Sequence, residues 1–252
     1  RRSSDLEQEV AKKELELASQ MQALLFPQNL PSNNRLDVAA KYETKQMVGG
    51  DYYDFFKLNN EEYCLCIADV SGKGVSAALI MSNFQAHLRA HIKHHQKLTI
   101  DEMIHQLNAD VMNAADGEKF ITFFFAYYNC TEKTLKYCNA GHNHPILTDG
   151  KKSILLDQGC IGLGMLDDIP SINVETLPIS PQMTLFCYTD GLVELENDDD
   201  EAFETERLIN IIHENYDLSM ADLSETIFEA LDDYKGDRDF MDDTAILGCR
   251  FF

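Results

Sequence analysis

Aspartates recur in the segments 48–54, 67–74, 186–191 and 241–244, where apolar, strand-like stretches begin or end; glycines neighbour them in the first three segments, and the fourth is a carboxylate pair. Short carboxylates at the rim of a sheet are the oxygen ligands that hard divalent cations such as magnesium and manganese prefer. Two such cations can share a carboxylate and lower the pKa of a water molecule until it attacks a phosphate ester near neutral pH. One such aspartate alone is typical of a turn or a cap. Together the four segments indicate a metal site.

The charge and the cysteines limit the partners and the compartment. The 252 residues carry a formal net charge of −22, from 43 acidic and 21 basic side chains. Such a surface repels polyphosphates and anionic membranes, so we expect no nucleic acid partner. No apolar run approaches the length of a membrane span. The 7 cysteines form no CxxC pair, which is typical of buried thiols in a reducing cytoplasm.

The first part of the chain predicts a helix over residues 5–25, because it lacks glycine and proline and carries a short heptad stripe. The apolar residues of this stripe are Leu6, Val10, Leu17, Met21 and Leu24. Two interpretations remain open: an amphipathic helix packed on its own domain, and a coiled-coil linker that forms a homodimer. We therefore divide the chain into a helical linker, 1–27, and one catalytic domain, 28–252.

The rest of the chain predicts strands and helices in alternating blocks. Strands are expected at 36–43, 52–58, 63–69, 120–129, 134–139, 145–148, 153–156, 172–177, 183–188 and 244–251, and helices at 75–95, 100–115, 204–215 and 220–234. Most neighbouring strands are joined by hairpin turns. This order favours an α+β fold in which helices cover antiparallel sheets.

Motifs found in one order along the chain resemble a known family. They are GGDYYDFF (49–56), ADVSGKGVSAAL (68–79), NAGHNHP (139–145), YTDGLVE (188–194) and DDTAIL (242–247). The set resembles the metal-dependent type 2C serine/threonine protein phosphatases, in their bacterial SpoIIE/RsbU-like branch. This resemblance implies a sandwich of two antiparallel β-sheets flanked by α-helices, with an N-terminal helical extension.

The resemblance also implies a site with two ions, Mn²⁺ or Mg²⁺. Asp51 would bridge the two metals. Asp69 and the backbone carbonyl of Val70 would serve the first metal's side, while Asp190 and Asp242 would hold the other. A metal-bridging hydroxide would then attack phosphoserine or phosphothreonine on a partner protein, which in this branch is typically an anti-sigma-factor antagonist.

The match departs from the family pattern at the last motif. Ala245 stands where the family usually has threonine, and the neighbouring carboxylates leave a choice between Asp242 and Asp243, in which the motif register favours Asp242. Asp54 is a candidate for an outer ligand, and Lys73 is interpreted as a solvated turn residue. The alternative function is a catalytically silent signalling module that binds a partner through the same pocket, and the complete set of aspartates argues against it.

Histidines form a second cluster of metal-ligand type. His87, His91, His94 and His95 lie on one predicted helix, and the first two share a face, so a metal clip is geometrically possible. No glutamate completes an HExxH motif, and we favour ordinary, partly exposed histidines. The two histidines of the 139–145 loop are interpreted as residues that hydrogen-bond their own turn.

Overall fold

Two β-sheets stack face to face, and helices cover both outer faces. The computed structural model describes residues 2–94 and 99–252. The helices are α1 (Arg2–Ala23), α2 (Gly74–His94), α3 (Ile100–Ala115), α4 (Asp190–Val193), α5 (Thr205–Glu214) and α6 (Met220–Lys235). The strands are β1 (Leu36–Glu43), β2 (Tyr52–Lys57), β3 (Glu62–Val70), β4 (Ile121–Asn129), β5 (Thr134–Ala140), β6 (Ile146–Thr148), β7 (Ser153–Leu155), β8 (Gly159–Cys160), β9 (Glu175–Pro178), β10 (Thr184–Tyr188) and β11 (Thr244–Phe251). The predicted α+β class is confirmed.

The strand order separates the chain into two sheets. The first sheet runs β1-β11-β10-β6-β7, and the second runs β2-β3-β4-β5-β8 with β9 added against β5. β8 pairs with β5 in parallel, whereas the other pairings among the described strands are antiparallel. The closing strand β11 lies at the second position of its sheet and pairs with β1 along its whole length.

Alternation along β11 explains how one strand serves two hydrophobic layers. Leu247 and Cys249 belong to the core between the sheets, whereas Ile246 packs with the residues of α5 and α6. The rings of Tyr128 in β4 and Phe251 in β11 lie 4.4 Å apart, which joins the two sheets directly. Successive side chains of a strand point to opposite faces, so β11 is buried on both.

The outer helices close the remaining sheet faces. Phe84 of α2 meets Phe123 of β4 edge to face, with ring centroids 5.1 Å apart. On the other side, Phe186 of β10 packs with Ile227 of α6. Each large apolar side chain buried in this way contributes about 1.5–3 kcal/mol. The result is a four-layer arrangement of helices, sheet, sheet and helices.

The last part of the N-terminal helical region is tied to the domain. Phe26 packs against Tyr42 and Tyr53, with ring centroids 5.1 and 4.9 Å away. The carbonyl oxygen of Leu25 accepts a hydrogen bond of 3.0 Å from Arg89. Earlier in the region the apolar stripe is exposed, at Val10, Leu17, Met21 and Leu24. The side chain of Leu6 lies outside the described residues.

Differences from the predicted elements are confined to short or irregular segments. β8 and α4 were not predicted, because two or four residues are too few to show a period. The strand expected at 172–177 is β9, which begins later, at Glu175. The predicted helix end at His95 lies outside the described residues. Among the helices that the structure describes, none is long and apolar enough to cross a membrane.

Candidate active site

Asp51 and Asp69 are brought side by side by the pairing of β2 with β3. Asp51 immediately precedes β2, and Asp69 is the penultimate residue of β3. The register pairs Tyr52 with Ala68. Asp51, one residue before Tyr52, therefore lies opposite Asp69, one residue after Ala68. The two carboxyl groups lie close enough that the charge of Asp69 raises the pKa of Asp51. Both therefore lie at one edge of the second sheet.

Asp190 and Asp242 come from the first sheet. Asp190 opens α4 directly after β10, and Asp242 lies just before β11. These two strands are neighbours, with Tyr188 paired to Ile246. The first sheet thus contributes its own carboxylates at the end where β10 finishes and β11 begins.

Two hydrogen bonds cross from one sheet to the other at this point. The Thr189 hydroxyl donates to Asp51 over 2.7 Å, and the Gly50 amide donates to Asp243 over 2.8 Å. Thr189 is held in turn by Ala245, whose amide donates to its hydroxyl over 2.8 Å. All four aspartates predicted as ligands therefore lie in one cluster at a shared end of the sandwich.

The cluster is crowded with like charge. Burial and the charge of Asp69 raise the pKa of Asp51 well above its usual value. Burial, and then the charge of Asp190, raise the pKa of Asp69 to about 7. Burial raises the pKa of Asp190 as well, with further contributions from Glu194 and Asp242. The site thus favours either protons or cations among its carboxylates.

Asp243 and Asp242 have different surroundings, which bears on the choice that the sequence left open. Both oxygens of Asp243 are engaged by the backbone, since the amides of Lys45 and Gly50 donate over 2.9 and 2.8 Å. Asp243 therefore links the 44–50 loop to the start of β11 through these hydrogen bonds. Asp242 is 35% exposed and pairs with Lys73. Its carboxylate is the more accessible of the two.

Lysines line the open side of the cluster. Lys73 contacts Asp242 through its ammonium group and also donates to the Met241 carbonyl over 3.0 Å. Lys73 is an exposed residue of the turn before α2, as interpreted, and it also pairs with the neighbouring carboxylate. The hydrogen bond with Asp242 raises the pKa of Lys73, which keeps it cationic. The ammonium of Lys45 reaches the same Met241 carbonyl.

The glycines before Asp51 are required by close packing. A Cβ at Gly49 would lie 2.4 Å from Oδ2 of Asp243, and one at Gly50 would lie 3.0 Å from the carbonyl oxygen of Val70. The Val70 carbonyl, predicted as a ligand, thus faces the segment that carries Asp51. Larger side chains would push this segment away from the other carboxylates.

Asp54 has a separate structural role. Its buried carboxylate accepts hydrogen bonds from the Tyr52 hydroxyl and from Arg89 Nε, the latter over 2.8 Å. Burial raises the pKa of Asp54, and these donors oppose that effect. The expected outer ligand is instead a link between β2 and α2.

The 139–145 loop hydrogen-bonds its own turn, as predicted. The His142 amide donates to the Asn139 side chain over 2.7 Å, and the His142 ring meets the Thr122 hydroxyl over 2.8 Å. Burial lowers the pKa of His142 to about 3, so the ring is neutral. This loop supports the sheet beside the cluster.

Two supporting residues were missed by the sequence reasoning. Thr189 was visible only as part of a motif, and its bond to Asp51 depends on the meeting of the two sheets. Gln22 lies on α1, 27 residues before Gly49, yet it is buried and its side chain binds the Gly49 backbone. Its side-chain amide donates to the Gly49 carbonyl over 2.8 Å and accepts from the Gly49 amide over 3.0 Å. Hydrogen bonds between residues so far apart in the sequence cannot be predicted from a local sequence pattern.

Comparison with known families now identifies the chain. The model of the family described as Stage II sporulation protein E (SpoIIE) matches residues 59–252. This chain belongs to the SpoIIE family. The matched region includes Asp69, Asp190 and Asp242 and begins after Asp51, which the pairing of β2 with β3 places beside Asp69.

Named relatives agree with this membership. Protein IcfG of Synechocystis is 28% identical over 230 residues, which cover 81% of this chain and 36% of IcfG. Phosphoserine phosphatase RsbU of Bacillus subtilis is 28% identical over 228 residues, which cover 90% of this chain and 66% of RsbU. This SpoIIE-family chain thus spans between a third and two thirds of these relatives.

A solved structure confirms the fold of the SpoIIE-family chain. The SiaA-PP2C domain of Pseudomonas aeruginosa superimposes with a TM-score of 0.86 at 18% identity, over 97% of this chain and 98% of that domain. At this identity the likeness establishes the architecture, which is the predicted sandwich of sheets between helices.

Proposed function

We propose that this chain is a metal-dependent protein phosphatase that hydrolyses phosphoserine or phosphothreonine on a partner protein. The observation that carries the proposal is the gathering of Asp51, Asp69, Asp190 and Asp242, from remote parts of the chain, into one cluster between the sheets. Membership of the SpoIIE family and the phosphoserine phosphatase activity named for RsbU support it. A catalytically silent module would have no use for the full set of carboxylates.

The donor set fits two divalent cations, Mg²⁺ or Mn²⁺. It consists of oxygens only, from the four aspartates of the cluster and the Val70 carbonyl, and hard cations prefer such ligands. The raised pKa of Asp69 fits as well, because crowded carboxylates need positive charge among them. When bound, such ions would acidify a water molecule and offset charge on the phosphoryl group.

The neighbours of each carboxylate suggest its role. Asp69 interacts with all three of the other aspartates proposed as ligands, whereas Asp51 interacts with Asp69 and Asp190 and is held by Thr189. This central position supports Asp69, rather than Asp51 as the family resemblance implied, as the carboxylate shared by the two ions. The hydrogen bonds that hold Asp243 to the backbone support Asp242 as the ligand of the pair.

The lysines at the mouth suit a phosphorylated substrate. Lys73 is 45% exposed and cationic beside Asp242, so its ammonium can donate to an incoming phosphoryl oxygen.

The substrate that we propose is a small phosphoprotein, an anti-sigma-factor antagonist, by analogy with the SpoIIE/RsbU-like branch. A homodimer through α1 is proposed with it, since Leu17 and Met21 on this helix are 58% and 61% exposed. Sedimentation velocity tests the dimer: Leu17→Lys should yield monomers, and an unchanged sedimentation coefficient would contradict it.

The decisive experiment for the phosphatase is hydrolysis of a phosphoserine peptide with Mn²⁺ or Mg²⁺, with and without EDTA. Asp69→Asn and Asp190→Asn should each reduce kcat/KM by at least about 1,000-fold while circular dichroism stays unchanged. Asp168→Asn is the matched control, because this exposed aspartate lies outside the cluster. Full activity in the Asp190→Asn variant, or in EDTA, would sink the proposal.

A further inference from the structure

A second cluster of metal-ligand groups joins α2 to α3. His87 and His91 lie one helical turn apart on α2, and Asp110 faces them from α3. Oδ2 of Asp110 is 3.0 Å from Nδ1 of His87 and 2.8 Å from Nε2 of His91. The three ligand atoms all lie within 4.8 Å of one another. The sequence showed the histidine pair, and the fold adds the carboxylate.

This donor set suits a different cation from the aspartate cluster. Imidazole nitrogens favour zinc and similar transition metals, whereas magnesium takes oxygen ligands. Zinc binds nitrogen at about 2.0–2.1 Å and carboxylate oxygen at about 2.0–2.2 Å, so its tetrahedral ligands stand about 3.3 Å apart. The Asp110 oxygen is already within about half an ångström of that spacing from each ring nitrogen, and the two nitrogens lie within 4.8 Å of each other. Two imidazoles and a carboxylate, with water in the fourth position, complete a common zinc shell.

The placement of the cluster also suits an ion. The side chains of His87, His91 and Asp110 are 41%, 17% and 25% exposed, so an ion can enter from solvent while both helices hold its ligands. Each of the two helices also has its own buried apolar residues in the core, such as Leu88 of α2 and Leu107 of α3. One oxygen that faces two ring nitrogens is the arrangement that a shared cation stabilises.

We propose that His87, His91 and Asp110 form a zinc site that clips α2 to α3. The site is separate from the proposed phosphatase centre, because His87 lies 13 residues along α2 from Gly74, which is about 20 Å at 1.5 Å per residue. It does not depend on the phosphatase proposal, and its loss should leave hydrolysis unchanged.

The test is calorimetric titration of the whole chain with Zn²⁺ in excess Mg²⁺, which keeps the oxygen-only cluster supplied with the ion it prefers. One Zn²⁺ per chain should bind, and Co²⁺ in its place should give the visible absorption of a tetrahedral site. His87→Ala, His91→Ala and Asp110→Asn should each weaken binding by at least about 100-fold. The exposed His105 of α3 provides the control, His105→Ala, which should bind as the parent chain does.

Two further measurements separate a metal site from a plain hydrogen-bonded cluster. Zn²⁺ should raise the melting temperature of the parent chain and of His105→Ala, and leave that of Asp110→Asn unchanged. Mn²⁺-dependent hydrolysis by His87→Ala should equal that of the parent chain. Absence of a stoichiometric Zn²⁺ site, or Zn²⁺ binding that survives both His87→Ala and Asp110→Asn, would overturn the proposal.

Discussion

At the scale of residues, the choice between Asp242 and Asp243 shows how contacts assign different tasks to adjacent carboxylates. Asp243 binds two backbone amides, while Asp242 faces the exposed side with Lys73. We expect Asp242→Asn to weaken metal activation with little effect on the free energy of unfolding. Asp243→Asn should cost about 1–3 kcal/mol, because a charged acceptor of two hydrogen bonds is lost. Urea unfolding measures the change in stability, and Mn²⁺ titration of activity measures the change in metal activation. A loss of stability in Asp242→Asn and of metal activation in Asp243→Asn would exchange the roles of the two residues.

The charge in the cluster predicts how stability depends on pH without metal. An unfolded aspartate has a pKa of about 3.9, whereas burial and Asp190 raise the pKa of folded Asp69 to about 7. Between these values the folded state binds more protons, so stability falls as pH rises from about 4 to about 7. Urea midpoints measured in EDTA at pH 5 and pH 8 should show this loss. Asp69→Asn should reduce it, and an equal loss in both chains would contradict this origin.

At the scale of elements, α1 supports the site through Gln22, whose amide group pairs with both backbone groups of Gly49. Gln22→Ala leaves two buried backbone groups without partners, which costs about 1–3 kcal/mol each at most. Because Gly49 lies two residues before Asp51, kcat/KM should fall as well. Gln20→Ala, at an exposed position of the same helix, is the control. Equal stability and turnover in both variants would show that the hydrogen bonds between Gln22 and Gly49 are dispensable.

How far the sequence predicts these elements depends on their length and on the range of their contacts. The periods of α3 and β11 are long enough that their predicted bounds match the structure. The strand-end positions of the aspartates could also be predicted, because each lies just before or just after an apolar run, with a glycine nearby in three of the four segments. The hydrogen bonds of Gln22 with Gly49 and of Thr189 with Asp51 could not be predicted, because they join segments that only the tertiary fold brings together.

At the scale of the whole molecule, the division at residue 27 stays a prediction, and the packing suggests where it can be tested. Phe26 lies in the core against Tyr42 and Tyr53. Removal of residues 1–27 should therefore destabilise the domain by at least about 3 kcal/mol, as expected for a lost core aromatic. Removal of residues 1–13, whose described side chains are exposed, should change stability by less than about 0.5 kcal/mol. Equal unfolding curves for the two truncations would show that Phe26 contributes little.

The hydrogen bonds from Thr189 to Asp51 and from Gly50 to Asp243 join the two sheets at the cluster. Neither half of the sandwich holds a complete set of ligands, so a partly folded chain with one sheet formed has no centre to assemble. Hydrolysis should consequently vanish along the same denaturant curve as the tertiary structure. The rate of turnover then also reports whether the two sheets have packed against each other.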